Sequence, residues 1–298
     1  MKLSRGQWLG LVALTLVWGF NWPLMKFSLR ELSPIYFRAT TMTAGALMLL
    51  FWYRARGVPM FLPRATWWPV LLLALPNIFG WHLFSILGVQ ELASGRAATL
   101  GFTMPIWTVL LASAFFGQPL SRRAWAGMVC AGIAVVLLVG QEITTLAGRP
   151  LGVLWMQVAA ICWALGTLLM RRTTLPLPTE AITVWMMLFS SVGFWLLAPA
   201  LEPWPAWSFS GPMWAALVWG AAINYGVAQV IWFGMARKLP PQASTFAIMA
   251  VPLVGTMSAT AIVAEVPRAM DYLAAVFIMG AIGSSLLPSR RAVPRTPP

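Results

Sequence analysis

This sequence predicts an all-α integral membrane protein: ten transmembrane helices, arranged as two inverted five-helix repeats, with both termini in the cytoplasm. Three observations predict it. The 298 residues are 60% hydrophobic and 9% charged, where a soluble domain carries about 25% charged residues. Apolar runs of about 20 residues, long enough to cross a bilayer core, recur from end to end. Two landmarks in the first half return at nearly equal spacing in the second.

The runs fall at 8–29, 34–53, 67–89, 97–116, 123–141, 151–170, 180–199, 211–236, 242–264 and 269–287. Each is continuous and rich in Leu, Ala, Met and Trp. A transmembrane barrel would instead show alternating segments of roughly 10 residues. The first run follows the basic stretch "MKLSRGQ". It is longer than the apolar core of a signal peptide and no A-x-A-like site follows, so it reads as a retained helix. The fourth and ninth runs carry mid-span Pro105 and Pro252. The fifth and tenth carry small residues, among them Gly127, Gly132, Gly280 and Gly283, which suit close helix packing.

A net charge of +13 invites a nucleic-acid partner, but its distribution removes that reading. With the N-terminus in the cytoplasm, 14 of the 20 Lys and Arg fall in cytoplasmic segments and four in outer loops, while six of the seven acids fall outside. Lys/Arg bias in short loops sets orientation, so the basic excess is a topology signal. Cys130 and Cys162 lie inside spans, and His82 is the only histidine. Neither a disulfide nor a metal site has the spacing it needs, and no cofactor is expected.

The repeat rests on two pairs. Trp18 and Lys26 are echoed by Trp163 and Arg171, while Pro105 and Gln118 are echoed by Pro252 and Glu265. The first half is taken as 1–145 and the second as 150–298, together one membrane domain. Five helices per half is odd, so the second half enters the bilayer from the opposite side. Such repeats place a substrate site near the midplane, between the halves.

Polar groups in lipid are costly unless paired or facing a cavity, so their positions carry the functional reading. Trp18, Asn21 and Trp22 form one stripe of the first helix, beside Pro23. Asn77, Trp81 and His82 mark the third helix and Trp163 the sixth. Asn224, Tyr225 and Gln229 mark the eighth, with Trp232 continuing the stripe. Phe102 and Trp107 flank Pro105, and Met249 precedes Pro252 by three residues. The twelve aromatic and polar residues from Trp18 to Gln229 are candidate substrate contacts. Pro23, Pro105 and Pro252 are candidate hinges, because each frees an upstream carbonyl. Packing is the alternative role for every one of them. Lys26 and Arg38 lie toward the outer ends of their helices and read as snorkelling to the headgroups; meeting a substrate carboxylate is the sharper alternative. Trp8, Trp67, Trp68, Trp204 and Trp207 sit at span ends and read as interfacial anchors.

At this level the chain resembles a known family. "LVWGFNWPLMKFSL" is similar to the first-helix signature of EamA-type carriers in the drug/metabolite transporter superfamily. "SPIYFRATTMTAG" resembles the second helix, with Arg38 at the usual arginine, and "LPPQASTFAIMAVPLVGTMSATAIVAEVP" resembles the ninth. A longer match runs from "LASGRAATLGF" through "IAVVLLVG" over the fourth and fifth helices. Gln118 departs from the usual glutamate. The resemblance implies a 5+5 fold, with helices 1, 3, 4, 6, 8 and 9 around a central cavity, and metabolite export across the cell inner membrane. Aromatic walls without a midplane carboxylate favour the aromatic amino-acid exporter branch. The alternatives are export of other metabolites or drugs, or a lipid-linked flippase. The expected partners are a small-molecule substrate and the bilayer, without nucleic acid, for a monomeric chain. An enzyme is not expected: there is one histidine, no HExxH and no cluster of embedded acids to supply a nucleophile with its base or a metal site.

Overall fold

The structure, a computed structural model, describes residues 4–117, 119–120, 122–144, 150–231 and 241–286; for 141–144, 241–249, 285 and 286 it describes the backbone. Gln118, Trp232 and the Met249 side chain lie outside the described residues. Everything described is helix or connecting turn, without strand. In chain order the helices are α1 (Arg5–Ser28), α2 (Pro34–Ala55), α3 (Arg64–Glu91), α4 (Ser94–Phe116) and α5 (Arg122–Thr144), then α6 (Pro150–Arg172), α7 (Thr179–Leu201), α8 (Gly211–Ile231), α9 (Pro241–Val263) and α10 (Ala269–Leu286). Seven of these contain described stretches long and apolar enough to cross a membrane, and the apolar parts of α9 and α10 are shorter. Helix α2 is 22 residues long, but Arg38 and three threonines dilute its apolar run.

The bundle has a hydrophobic core and, unlike a soluble protein, an apolar exterior as well. Leu9, Phe51, Val136 and Leu196 are each at least 66% exposed, a cost in water that vanishes in lipid. Within that core a minority of polar groups is also buried, among them Arg38, Asn77, Ser85, Thr103 and Asn224. This is a multi-pass, membrane-embedded protein.

Local chemistry sets the helix ends. Ser4 and Gln7 form a reciprocal capping box that starts α1, satisfying two orphan N–H groups. Pro34 and Pro150 stand at helix starts, where a missing N–H is harmless. Pro23 and Pro252 are accommodated inside continuous helices. Of the mid-span prolines in the fourth and ninth helices, only Pro105 stands at a break, in α4. Its first segment stops at Gly101, Phe102 and Thr103 form a turn, and the second starts at Met104 with Pro105 in its first turn.

Two helices widen into π-helical segments that periodicity does not signal: Leu75–Gly80 in α3 and Trp219–Val227 in α8. Pro76, which lacks an N–H, accounts for the first. No proline lies in the second; there Gly220 and Gly226 face α2, where added methyls would stand 3.0 Å from Thr41 and 2.1 Å from Met48. Each segment carries an asparagine, Asn77 and Asn224, 147 residues apart, the same spacing as Pro105 and Pro252.

Helix contacts pair α1 with α9, α5 with α10, α2 with both α7 and α8, and α3 and α4 with α6. The closest approaches use glycine. A methyl at Gly19 of α1 would lie 2.4 Å from Val254 of α9, and one at Gly166 of α6 would lie 2.5 Å from the Asn77 Cα of α3. The expected close packing of α5 on α10 is present and runs through buried alanines, among them Ala131, Ala274 and Ala281, rather than through Gly132 or Gly280. Nothing lies within 4 Å of a methyl at Gly132, and only Cys130 Sγ, at 3.9 Å, approaches one at Gly280.

Candidate functional site

One end of the bundle is a ring of charged caps. Glu202 accepts the N–H groups of Ile35 and Tyr36 at the start of α2, at 2.8 and 3.1 Å. Glu265 accepts from the Ser94 N–H and hydroxyl at the start of α4, both at 2.7 Å. Glu31 accepts from the Ser210 N–H at 2.8 Å, and from its hydroxyl, at the start of α8. Cations take the opposite poles. Lys26 donates to the Val89 and Gln90 carbonyls at the end of α3, both 2.8 Å away, and Arg30 to the Val263 carbonyl ending α9 at 3.3 Å. Carboxylates at N-termini and ammonium groups at C-termini both match the helix dipole. Arg96 and Asp271 add an ion pair at 2.6 Å, with both side chains largely buried. Ser210's two donors hold the Glu31 carboxyl below the ordinary carboxylate value. A shallow cavity of about 250 Å³ opens among Lys26, Arg30, Gln90 and Glu265. Lys26 is thus a helix cap.

Deeper in, five of the expected site residues converge. Trp81 of α3 is the hub. Its ring centroid lies 6.4 Å from Trp22 of α1, 5.2 Å from Trp163 of α6 and 6.5 Å from His82. The His82 ring stands 5.2 Å from Tyr225 of α8. These edge-on pairs suit the aromatic quadrupole and bring four helices to one aromatic cluster. Trp22 is buried, and Trp81, His82 and Trp163 are half-buried.

Arg38 is where expectation and structure part. It does not snorkel: it is 3% exposed and turned inward from α2. Its Nε–H donates to the His82 carbonyl at 3.2 Å, Nη1 to the Tyr225 hydroxyl at 3.1 Å and Nη2 to the Ser85 hydroxyl at 3.1 Å. The Tyr225 hydroxyl in turn lies 3.1 Å from His82 Nδ1. Arg38 therefore ties α2, α3 and α8 together behind the aromatic cluster.

The other expected residues are placed separately. Trp107 donates its indole N–H to Gln157 Oε1 of α6 at 2.9 Å, and Thr103 donates to the same oxygen at 3.2 Å. Phe102 is buried at the α4 break, Trp18 packs against the core, and Asn77 abuts Gly166. Asn21 and Gln229 are half-buried on α1 and α8, and Asn224 is buried beside Tyr225. Gln157 was missed. It is the one polar side chain in the middle of "LWMQVAAIC", which is the signal that could have found it, and its Nε2 is buried without a partner. Trp8, Trp67, Trp68 and Trp204 are exposed at helix ends and loops. Trp207 is instead half-buried, its ring 6.0 Å from Tyr36 and 6.1 Å from Trp195.

The described family of EamA-like transporters matches the chain twice, over residues 5–140 and 150–287. The chain belongs to this family. The transporter is 24% identical to the uncharacterized inner membrane transporter YedA of Escherichia coli K12, over 95% of its own length and 93% of the relative's. It is 21% identical to the uncharacterized transporter YoaV of Bacillus subtilis, over 82% and 84%. A probable amino-acid metabolite efflux pump of Escherichia coli K12 is 22% identical over 93% of both chains. A solved crystal structure shares the fold with a TM-score of 0.68 and 21% identity, covering 97% of this chain and 99% of its own. Family and relatives point to a membrane transporter rather than an enzyme.

Proposed function

We propose that this transporter exports small organic metabolites, with aromatic or hydrophobic amino acids first among them, by alternating access. The observation that carries the reading is the aromatic cluster of Trp22, Trp81, Trp163, His82 and Tyr225, drawn from α1, α3, α6 and α8. Edges and faces of this kind take a flat apolar ring, and the half-buried Trp81 and Trp163 leave surface for one. The relative named as an amino-acid metabolite efflux pump supports the substrate class. Asn21, Asn77, Asn224 and Gln229 supply polar contacts around the rings; Phe102 and Trp107 act through α4, and Trp18 backs α1.

The 5+5 inverted arrangement of 1–145 and 150–298 is part of the same reading. The double family match, the asparagines Asn77 and Asn224 of the two π-helical segments, 147 residues apart, and the proline pair at the same spacing support it. With the basic end facing the cytoplasm, both termini are cytoplasmic and the capped acidic end faces out. Those caps and the Arg96–Asp271 pair then form the outer gate. Flexing at Pro23, Pro105 and Pro252, each of which lacks a helical N–H, takes up the rearrangement as it opens. A single chain in the inner membrane suffices, with the bilayer and a small solute as its partners.

The test is counterflow in proteoliposomes with a panel of labelled amino acids, nucleobases and lipids. Tryptophan or phenylalanine should exchange fastest, and Trp163→Ala should slow that exchange while the protein still folds. Exchange of lipids alone, or normal exchange by Trp163→Ala, Trp81→Ala and His82→Ala together, would overturn the assignment.

A further inference from the structure

Among the described residues, no carboxylate answers the positive charge that Arg38 carries into the bundle interior. Its three hydrogen-bond partners are a carbonyl and two hydroxyls, all neutral. The described acids lie elsewhere: Glu31, Glu91, Glu202, Glu265 and Asp271 at the capped end, and Glu180 in the first turn of α7. Such a charge is costly in a low-dielectric interior, and a mobile anion lowers that cost.

Donor and acceptor roles connect this charge to the aromatic cluster. Arginine only donates, so the Tyr225 oxygen accepts from Nη1. The buried Tyr225 O–H then needs an acceptor, and His82 Nδ1 stands 3.1 Å away. That assigns the histidine proton to Nε2. The Arg38 bond to the His82 carbonyl and the Ser85 hydroxyl fix the same turn of α3 from behind. The result is an N–H donor on a half-buried ring beside Trp81, backed by a positive field.

We propose that this face recognises a carboxylate, and that the transporter takes ring-bearing organic acids and amino acids but not the corresponding amines. His82 Nε2–H is the direct donor. Arg38 and Tyr225 are positioning residues that set the tautomer and supply the charge. The proposal rests on the transport reading and names the chemistry of that site. An amino acid meets it with its carboxylate on His82 and its ammonium over a tryptophan face.

The experiment uses purified full-length transporter in proteoliposomes. Efflux is measured for four solutes that share one ring: phenylalanine, 3-phenylpropanoate, 3-phenylpropanamide and phenethylamine. The two carboxylates should leave at least about tenfold faster than the amine, and 3-phenylpropanoate faster than its amide, the size of one charge-assisted hydrogen bond. Tyr225→Phe, which keeps the ring, and Arg38→Gln should each bring the acid-to-amide ratio toward one. A purely structural role would slow acid and amide alike and leave the ratio unchanged.

Amine efflux equal to carboxylate efflux in the native protein overturns the proposal but leaves a transporter of aromatic solutes. An unchanged acid-to-amide ratio in a variant with native melting behaviour also overturns it. If both variants unfold, the four-solute comparison on the native protein decides alone. If none of the four moves, the transport reading fails and this inference with it.

Discussion

Gly166 offers the sharpest physical test of how the site is held. A Cβ there would meet the Cα, Cβ and Cγ of Asn77 at 2.5, 2.6 and 2.8 Å, against 3.4 Å or more for ordinary contact. The nearest of these is a backbone atom inside the π-helical segment of α3, so no rotamer change relieves the clash. Gly166→Ala must therefore push α3 and α6 apart by about 1 Å, a strain of about 1–3 kcal/mol. Better helix propensity returns at most about 1 kcal/mol. The same shift separates Trp81 from Trp163, whose rings are 5.2 Å apart. Gly132→Ala is the control, since it gains the same propensity with nothing within 4 Å. Thermal unfolding in one detergent and lipid mixture, with counterflow of the same solute, reads both effects. Gly166→Ala should melt earlier and transport more slowly, while Gly132→Ala melts at or above the native temperature. Native behaviour of Gly166→Ala, or equal damage from both, would refute the close-approach reasoning.

Three further predictions follow from named contacts. Gln157→Leu strands the Trp107 indole N–H, which should cost about 1–3 kcal/mol in the same melting assay; Gln157→Glu, which keeps an acceptor, should cost less. Asp271→Asn uncouples a largely buried ion pair and should destabilise by about 3–5 kcal/mol, with Arg96→Met plus Asp271→Leu recovering part of the loss. The third concerns pH. The Glu31 carboxyl is held below its ordinary value by Ser210, so its contribution is present above that ordinary value and lost as pH falls through the lowered one. Glu31→Gln should remove that acid-side portion of the melting profile and leave neutral pH nearly unchanged; an identical acid limb in the variant would contradict it.

Most of the architecture is legible in the sequence because lipid imposes a simple rule: long apolar runs with paired backbone. Trp22, Trp81, His82, Trp163 and Tyr225 were legible as well, since polar and aromatic residues at mid-span stand out. Arg38 was not. One turn from a helix start, it looks like a snorkelling residue, and only the partners that α3 and α8 offer turn it inward. Neither were the glycine contacts, because Gly166 and Gly132 look alike until the neighbouring helix is known. The π-helical turns escape a period-based reading, although Pro76 marks one of them. The carboxylate caps join loops 166 to 179 residues apart, a separation that no local pattern carries. Lys26, which closes the run "LVWGFNWPLMK", reads locally as the end of a span and is in fact the cap of α3.

The central claim is that one site, beside Asn21 and the tryptophan cluster, faces each side of the membrane in turn. A single cysteine at position 21, in a background lacking Cys130 and Cys162, tests it most directly. Labelling with a membrane-impermeant thiol reagent should proceed from both sides, and saturating phenylalanine should change the two rates in opposite directions. Labelling from one side only, with or without solute, would contradict the account.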